Sequence, residues 1–402
     1  VLIDEPAGVA DVVAAARAAG EVALDLEFAA DGRLRPELAL VQLAWRDGAK
    51  VRAVAIDAVA TDATAAIALV GEVDVILHAG RQDLQLLATR FDRRGRRIFD
   101  TQIAAAFAGL GDQLGYAKLA EQLVGARIDK DLQFTDWLAR PLTARQLDYA
   151  LDDVRHLPAA ADVLKAQLAE LGRDAWVAAE CDALCEVAYA AGRTGADDAW
   201  ADVGGARKLR GVDRAAIVRL AAWRWRIALE RNKPPSWIVA DKALVELAQR
   251  RPRDADELKK IRGAGEVARE RGDELLAELA LAVADAEAAG ADAGVGAGRG
   301  QPSSPRAQLW EQVFVTLVQW AAERARLPAR WLASRGDCED VARWLDRGDP
   351  RADAHPLFTT WRREVVGDTL RAWVRGELAL VGDAASAAGA RLVPVPGAPG
   401  RG

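Results

Sequence analysis

Apolar and acidic side chains alternate through Val22-Ala23-Leu24-Asp25-Leu26-Glu27-Phe28. A strand has a period of two, so Asp25 and Glu27 share one face of it and Leu26 points to the other. The same patterning predicts strands over 21–28, 38–45, 51–56 and 73–77, alternating with helical stretches up to about residue 172. That is an α/β domain, a mixed sheet flanked by helices. From Ala175 onward the pattern predicts no strand. It divides into a helical connector over 173–208, an alanine- and leucine-rich helical domain over 209–285 and a second helical unit over 306–382. Between the helical units, 286–305 carries the glycines, prolines and serines of a flexible linker, and 383–402 reads as a disordered tail.

Two carboxylates side by side on an apolar strand repel each other unless a cation lies between them. For an isolated Asp-x-Glu, a solvated edge strand is the commoner situation, because burying charge is costly. Later segments shift the balance. Val75-Ile76-Leu77 reads as a short buried strand, and His78-Ala79-Gly80-Arg81-Gln82-Asp83-Leu84 turns through a glycine into a helix that begins near Asp83. Downstream, Thr143 and Gln146 have capping-box spacing. On the helix they open, Tyr149 and Asp153 are four residues apart and share a face, an offset that Asp152 lacks.

Composition narrows the class. The chain has 402 residues, 51% of them hydrophobic, which exceeds one typical domain and supplies ample core. A net charge of −6 argues against a generally basic nucleic-acid coat. Three cysteines do not make a disulfide framework. Cys181 and Cys185 lack the second pair or nearby histidine that a zinc site needs. With no run of about 18 apolar residues and no signal-like leader, a soluble cytoplasmic protein is expected. Methionine is absent, for which we have no physical account.

Together these motifs resemble the ribonuclease D branch of the DEDD exonucleases. Asp25-Leu26-Glu27-Phe28 resembles its first motif, with Leu26 where a small polar residue is usual, and residues 36–44 resemble the strand that follows. The His78–Leu84 stretch resembles its second motif and Tyr149-Ala150-Leu151-Asp152-Asp153 its third. Phe99-Asp100-Thr101-Gln102 and residues 135–142 are similar to stretches between them. The resemblance implies an RNase H-like exonuclease domain followed by two all-α HRDC-like domains. It also implies two divalent ions, Mg²⁺ or Mn²⁺. Asp25 would bridge both, Glu27 and Asp153 would hold the ion that generates the nucleophile, Asp83 would act through water on the other, and Tyr149 would orient the attacking water. Such an enzyme removes nucleotides from the 3′ ends of structured RNA such as tRNA precursors. A DNA exonuclease and a non-catalytic RNA-binding protein are the alternatives.

Candidate substrate contacts are Phe28, His78, Gln102, Lys130, Arg224 and Arg226. No membrane or small-molecule cofactor is expected, and the chain is expected to act as a monomer. From Arg207 to Lys233 there are nine Lys or Arg and two acids, interleaved with Trp223 and Trp225. This is either an RNA backbone contact or a solvated basic face with its tryptophans in the core.

Overall fold

The computed structural model describes residues 1–128, 135–288, 303–386 and 388–396. Six strands form one mixed sheet: β1 (Leu2–Ile3), β2 (Glu21–Ala29), β3 (Glu37–Asp47), β4 (Lys50–Asp57), β5 (Asp74–Leu77) and β6 (Ile98–Asp100), in the order β1-β4-β3-β2-β5-β6. The four expected strands are the four long ones. β1 and β6, with two and three residues, are too short to show a period. β2, β3 and β4 pair antiparallel, whereas β1, β5 and β6 join in parallel.

Alternation along β2 and β3 gives the sheet two different faces. Leu24, Leu26, Val41, Leu43 and Ile56 are buried with Val9, Val12 and Val13 of the Pro6–Ala19 helix and Leu84 and Leu87 of the Arg81–Phe91 helix. Each such side chain contributes roughly 1.5–3 kcal/mol relative to exposure. Leu26 therefore belongs to the core, away from the acids. Leu40 and Ala55 pack instead against Trp137 and against Ala150 and Leu151 of the Ala144–Arg155 helix. That helix opens with the expected capping box between Thr143 and Gln146, worth about 1 kcal/mol.

A bulge adjoins Glu27. Glu27 pairs with Leu40 and Phe28 with Leu38, which leaves Ala39 as the extra residue. Its carbonyl accepts from the Ala58 amide at 3.1 Å and from Arg140 Nη2 at 3.2 Å. Arg140 also donates to the Trp137 carbonyl at 2.7 Å and pairs with buried Asp57. The segment before the Ala144–Arg155 helix is thereby fastened to the sheet.

By compactness the chain forms two units that do not follow chain order. The first comprises Val1–Asp100, Ala120–Ala161 and the described part of Glu180–Gly298. The second comprises Thr101–Leu119, Asp162–Ala179 and the described part of Arg299–Gly402. Cys185 and Ala188 lie in the core cluster of the sheet, so that core extends past the boundary expected at residue 172. In the first unit, the Gly211–Arg231, Asp241–Arg250 and Gly265–Ala288 helices bury Leu220, Trp223, Leu244 and Leu275. In the second, the Pro305–Ala325 and Arg335–Arg347 helices bury Phe314, Leu317 and Val341.

The second unit also corrects two expectations, the absence of strands after Ala175 and the disordered tail. β7 (Leu378–Gly382) and β8 (Ala390–Pro394) form an antiparallel pair, and Trp320 Nε1 donates to the Ala390 carbonyl at 3.0 Å. Two mostly apolar runs of five residues around an alanine- and glycine-rich turn are too short to declare strands by their period. Most of the expected linker lies outside the described residues. Among those residues no helix is long and apolar enough to cross a membrane.

Candidate metal centre

Asp25 and Glu27 leave the same face of β2, and the Ala144–Arg155 helix covers that face. The packing brings one carboxylate oxygen each from Asp25, Glu27 and Asp153 within 4.8 Å of one another. Asp153 is the member of the Asp152-Asp153 pair that joins them. Asp152 turns to Arg155 and forms an ion pair at 2.6 Å.

Asp83 arrives from the other side of β2. The chain leaves β5 through Ala79, at φ 56°, and Gly80, where a Cβ would meet Leu77 side-chain atoms at 2.5 and 2.9 Å. Only glycine fits there. Asp100, buried at the end of β6, holds this turn by accepting from the Ala79 amide at 3.2 Å and the Gly80 amide at 2.9 Å. Asp83 then falls in the first turn of the Arg81–Phe91 helix, buried. It lies close enough to Asp25 and Glu27 to raise the proton affinity of Glu27, though outside the tight group of three.

The proton affinities of these acids are raised together. Loss of water, reinforced by Asp153, pushes the Asp25 carboxyl up to about 8. Glu27 is pushed up to about 9 by burial and then by Asp25, Asp153 and Asp83. Burial and Asp152 push Asp153 up to about 7. Asp83 is raised by burial and by the charges of Asp25 and Asp100, against backbone hydrogen bonds from its own amide and that of Leu26. Four like-charged groups gathered at one place, with only oxygen donors, fit a hard divalent cation.

Tyr149 is half-buried one turn before Asp153. Desolvation and the charges of Asp153, Glu27 and Asp25 raise its pKa, so the phenol keeps its proton and can donate. Its ring lies 6.0 Å from that of Trp137, centroid to centroid.

The candidate substrate contacts fare unequally. Phe28 packs partly buried against the sheet core, and His78 is half-buried just before the turn that carries Asp83. Gln102 belongs to the second unit and donates to the Leu114 carbonyl at 3.2 Å. Lys130 lies outside the described residues. Arg224 is corrected outright. It is buried, with Nη1 donating to the Val239 carbonyl at 2.8 Å and to Asp241 at 2.7 Å, so it joins two helices and does not face a ligand. Arg226 is exposed and pairs with Glu278 at 2.5 Å. With Arg35, Arg90 and Trp225 it borders a cleft of about 740 Å³. Sequence reasoning matched Phe99-Asp100 as a stretch but missed the role of Asp100, because a cap on another element's turn has no local spacing signal.

Comparison with known proteins agrees with this geometry. A family model described as 3′-5′ exonuclease matches residues 1–169, and the HRDC domain model matches residues 213–279. The chain is 34% identical over 364 residues to the ribonuclease D of Acidiphilium cryptum, covering 89% of each chain. It is 33% identical over 389 residues to that of Gluconacetobacter diazotrophicus, covering 94% of each. The chain belongs to the ribonuclease D family. In keeping with this, it is similar to the crystal structure of Escherichia coli RNase D, described as an exoribonuclease involved in structured RNA processing. The TM-score is 0.79 at 29% identity, with 94% of this chain and 98% of that one covered. As a ribonuclease D family member the chain combines an exonuclease domain, whose fold implies divalent-metal dependence, with an HRDC domain.

Proposed function

We propose that this chain hydrolyses RNA from the 3′ end, with structured RNAs such as tRNA precursors as substrates, using two divalent ions held by Asp25, Glu27, Asp83 and Asp153. The observation that carries the reading is the convergence of Asp25, Glu27 and Asp153 oxygens within 4.8 Å, with Asp83 beside them. Bound at such a site, Mg²⁺ or Mn²⁺ lowers the pKa of water and offsets charge on the leaving oxygen. On the family resemblance, Asp25 would serve both ions; its carboxyl feels Asp153 and acts on Glu27 and Asp83. Glu27 and Asp153 would hold one of the ions and Asp83 the other. Tyr149 supplies a donor that stays protonated, and so orients a water for in-line attack. Phe28 follows Glu27 and His78 precedes Asp83 by five residues, and both are assigned to the terminal nucleotide; Gln102 and Lys130 are retained as substrate contacts on the family resemblance, whereas Arg226, already paired with Glu278, is assigned to the solvated face.

The second helical unit is a second HRDC-like module on this reading. The Gly211–Arg231 and Pro305–Ala325 helices each have 21 residues and end on a left-handed residue, Asn232 at φ 46° and Arg326 at φ 50°. Pro234 and Pro328 then lead into four-residue helices that contain Trp237 and Trp331, and a longer helix follows each. The same order of devices twice in one chain supports duplication. The chain is assigned to the cytoplasm as a monomer.

The test is release of the terminal nucleotide from a 3′-labelled RNA and from the matching DNA, each with and without Mg²⁺. Metal-dependent release from RNA in preference to DNA is expected. Equal rates on both would overturn the choice of substrate, and no release from either would overturn the enzyme reading.

A further inference from the structure

Gln42 on β3 lies directly across from Asp25 on β2, with Ala55 of β4 on its other side. Opposed residues on neighbouring antiparallel strands present their side chains to one face, with Cβ atoms roughly 4.5–5.5 Å apart. Gln42 therefore shares the Asp25 face, where Ala55 packs against Ala150 and Leu151. The residue is fully buried, and among the described residues neither its Nε2 nor its Oε1 has a hydrogen-bond partner.

A carboxamide carries two donors and two acceptor lone pairs, and buried polar groups are nearly always satisfied. Other polar groups facing inward from this sheet obey that rule: Asp57 is held by Arg140, and Asp100 by two backbone amides. An apolar residue at position 42 would fill the space without unpaired polar atoms. A partner gained in the working state would satisfy the amide, and its immediate cross-strand neighbour is a carboxylate of the metal centre.

We propose that Gln42 is a positioning residue for Asp25, its Nε2–H donating to the Asp25 carboxylate when that group is ionised and ligating. This rests on the assignment of Asp25 as a metal ligand. A carboxylate serving two cations must keep its plane fixed, and a donor from the neighbouring strand does so without competing for the cations. Partners of metal-bound groups at this remove typically alter affinity 10–100-fold.

The experiment compares the full chain with Gln42→Met, Gln42→Leu, Asp25→Ala and the Asp25→Ala/Gln42→Met double variant. Calorimetric Mn²⁺ titration, thermal unfolding without metal, and kcat and KM on RNA are measured for each. Both Gln42 variants are expected to unfold at an unchanged or higher temperature, because unsatisfied polar atoms are removed. They should nevertheless bind Mn²⁺ about 10-fold more weakly and lose kcat at unchanged KM, with no further loss of affinity in the double variant. Parental Mn²⁺ affinity in both, alongside lost affinity in Asp25→Ala, would overturn the proposal alone. Parental affinity in Asp25→Ala would overturn the ligand assignment and the proposal with it. A loss of affinity accompanied by a lowered unfolding temperature in both Gln42 variants would also overturn it, since it would reflect packing.

Discussion

Arg140 grips Asp57 at two points, Nε to Oδ2 and Nη2 to Oδ1, both at 2.6 Å. The pair joins the end of β4 to the segment containing Trp137, whose ring adjoins that of Tyr149. The ion pair and the Ala144–Arg155 helix are thus linked through a few contacts.

Burial alone would raise the Asp57 pKa, but the hydrogen bonds and charge of Arg140 together with two backbone amides bring it below the usual value. A depressed carboxylate pKa stabilises the fold above the unfolded-state value of about 4, and the benefit fades as pH falls through the folded value. Arg140→Ala leaves a buried carboxylate without its cation and should cost about 3 kcal/mol at pH 7. Its deficit against the parent, measured by urea unfolding, should shrink toward pH 3. A deficit independent of pH would mean that Arg140 acts by packing alone.

The metal centre should show the opposite sign. Asp25, Glu27 and Asp153 retain protons in the folded chain up to about 8, 9 and 7, whereas the unfolded carboxyls lose theirs near 4. Between pH 4 and 9 unfolding without metal therefore releases protons, and raising the pH lowers stability. Asp25→Asn removes one such group, so it should unfold at a higher temperature than the parent at pH 8 without metal, with the difference closing near pH 4. In Mg²⁺ the same variant, like Glu27→Ala, Asp83→Ala and Asp153→Ala, should lose most of its turnover. Near-parental turnover in two of these variants would refute the ligand assignment.

Tyr149 is assigned to water and not to the ions. Tyr149→Phe should reduce single-turnover cleavage by roughly 10²-fold, the usual cost of removing one well-placed donor, while Mn²⁺ affinity stays within about twofold. Equal losses in rate and affinity would make the tyrosine structural.

The sheet and most of the centre were legible because they rest on local regularities: the two-residue period of β2, the four-residue offset of Tyr149 and Asp153, and the Thr143 capping box. What escaped depends on register or on distant partners. Gln42 faces Asp25 only once β2 and β3 are paired, and Asp100 caps a turn 20 residues earlier. Arg224 looked available because its partners, Val239 and Asp241, meet it through helix packing. The core likewise does not end at residue 172. A chain cut there loses Cys185 and Ala188 from the sheet cluster, so the exonuclease part should not be taken to fold by itself from that boundary.

The basic stretch from Arg207 to Lys233 is the last element whose role the packing bears on. Arg219 pairs with Glu278 and Asp285, Arg224 with Asp241, Arg226 with Glu278 and Arg231 with Glu270. Trp223 is buried and donates to Glu274 at 3.2 Å, and Trp225 packs partly buried in the same cluster. A cation already neutralised by an acid releases few counterions when a phosphate approaches, so these arginines favour the solvated-face reading over a phosphate track. In single-stranded RNA each phosphate neutralised adds about 0.7 to the slope of log affinity against log salt. Arg226→Ala and Arg231→Ala should therefore each lower that slope by well under 0.7 in the full chain, with kcat unchanged. A decrease of about 0.7 in either variant would show that phosphate displaces the carboxylate, and would make that arginine a backbone contact after all.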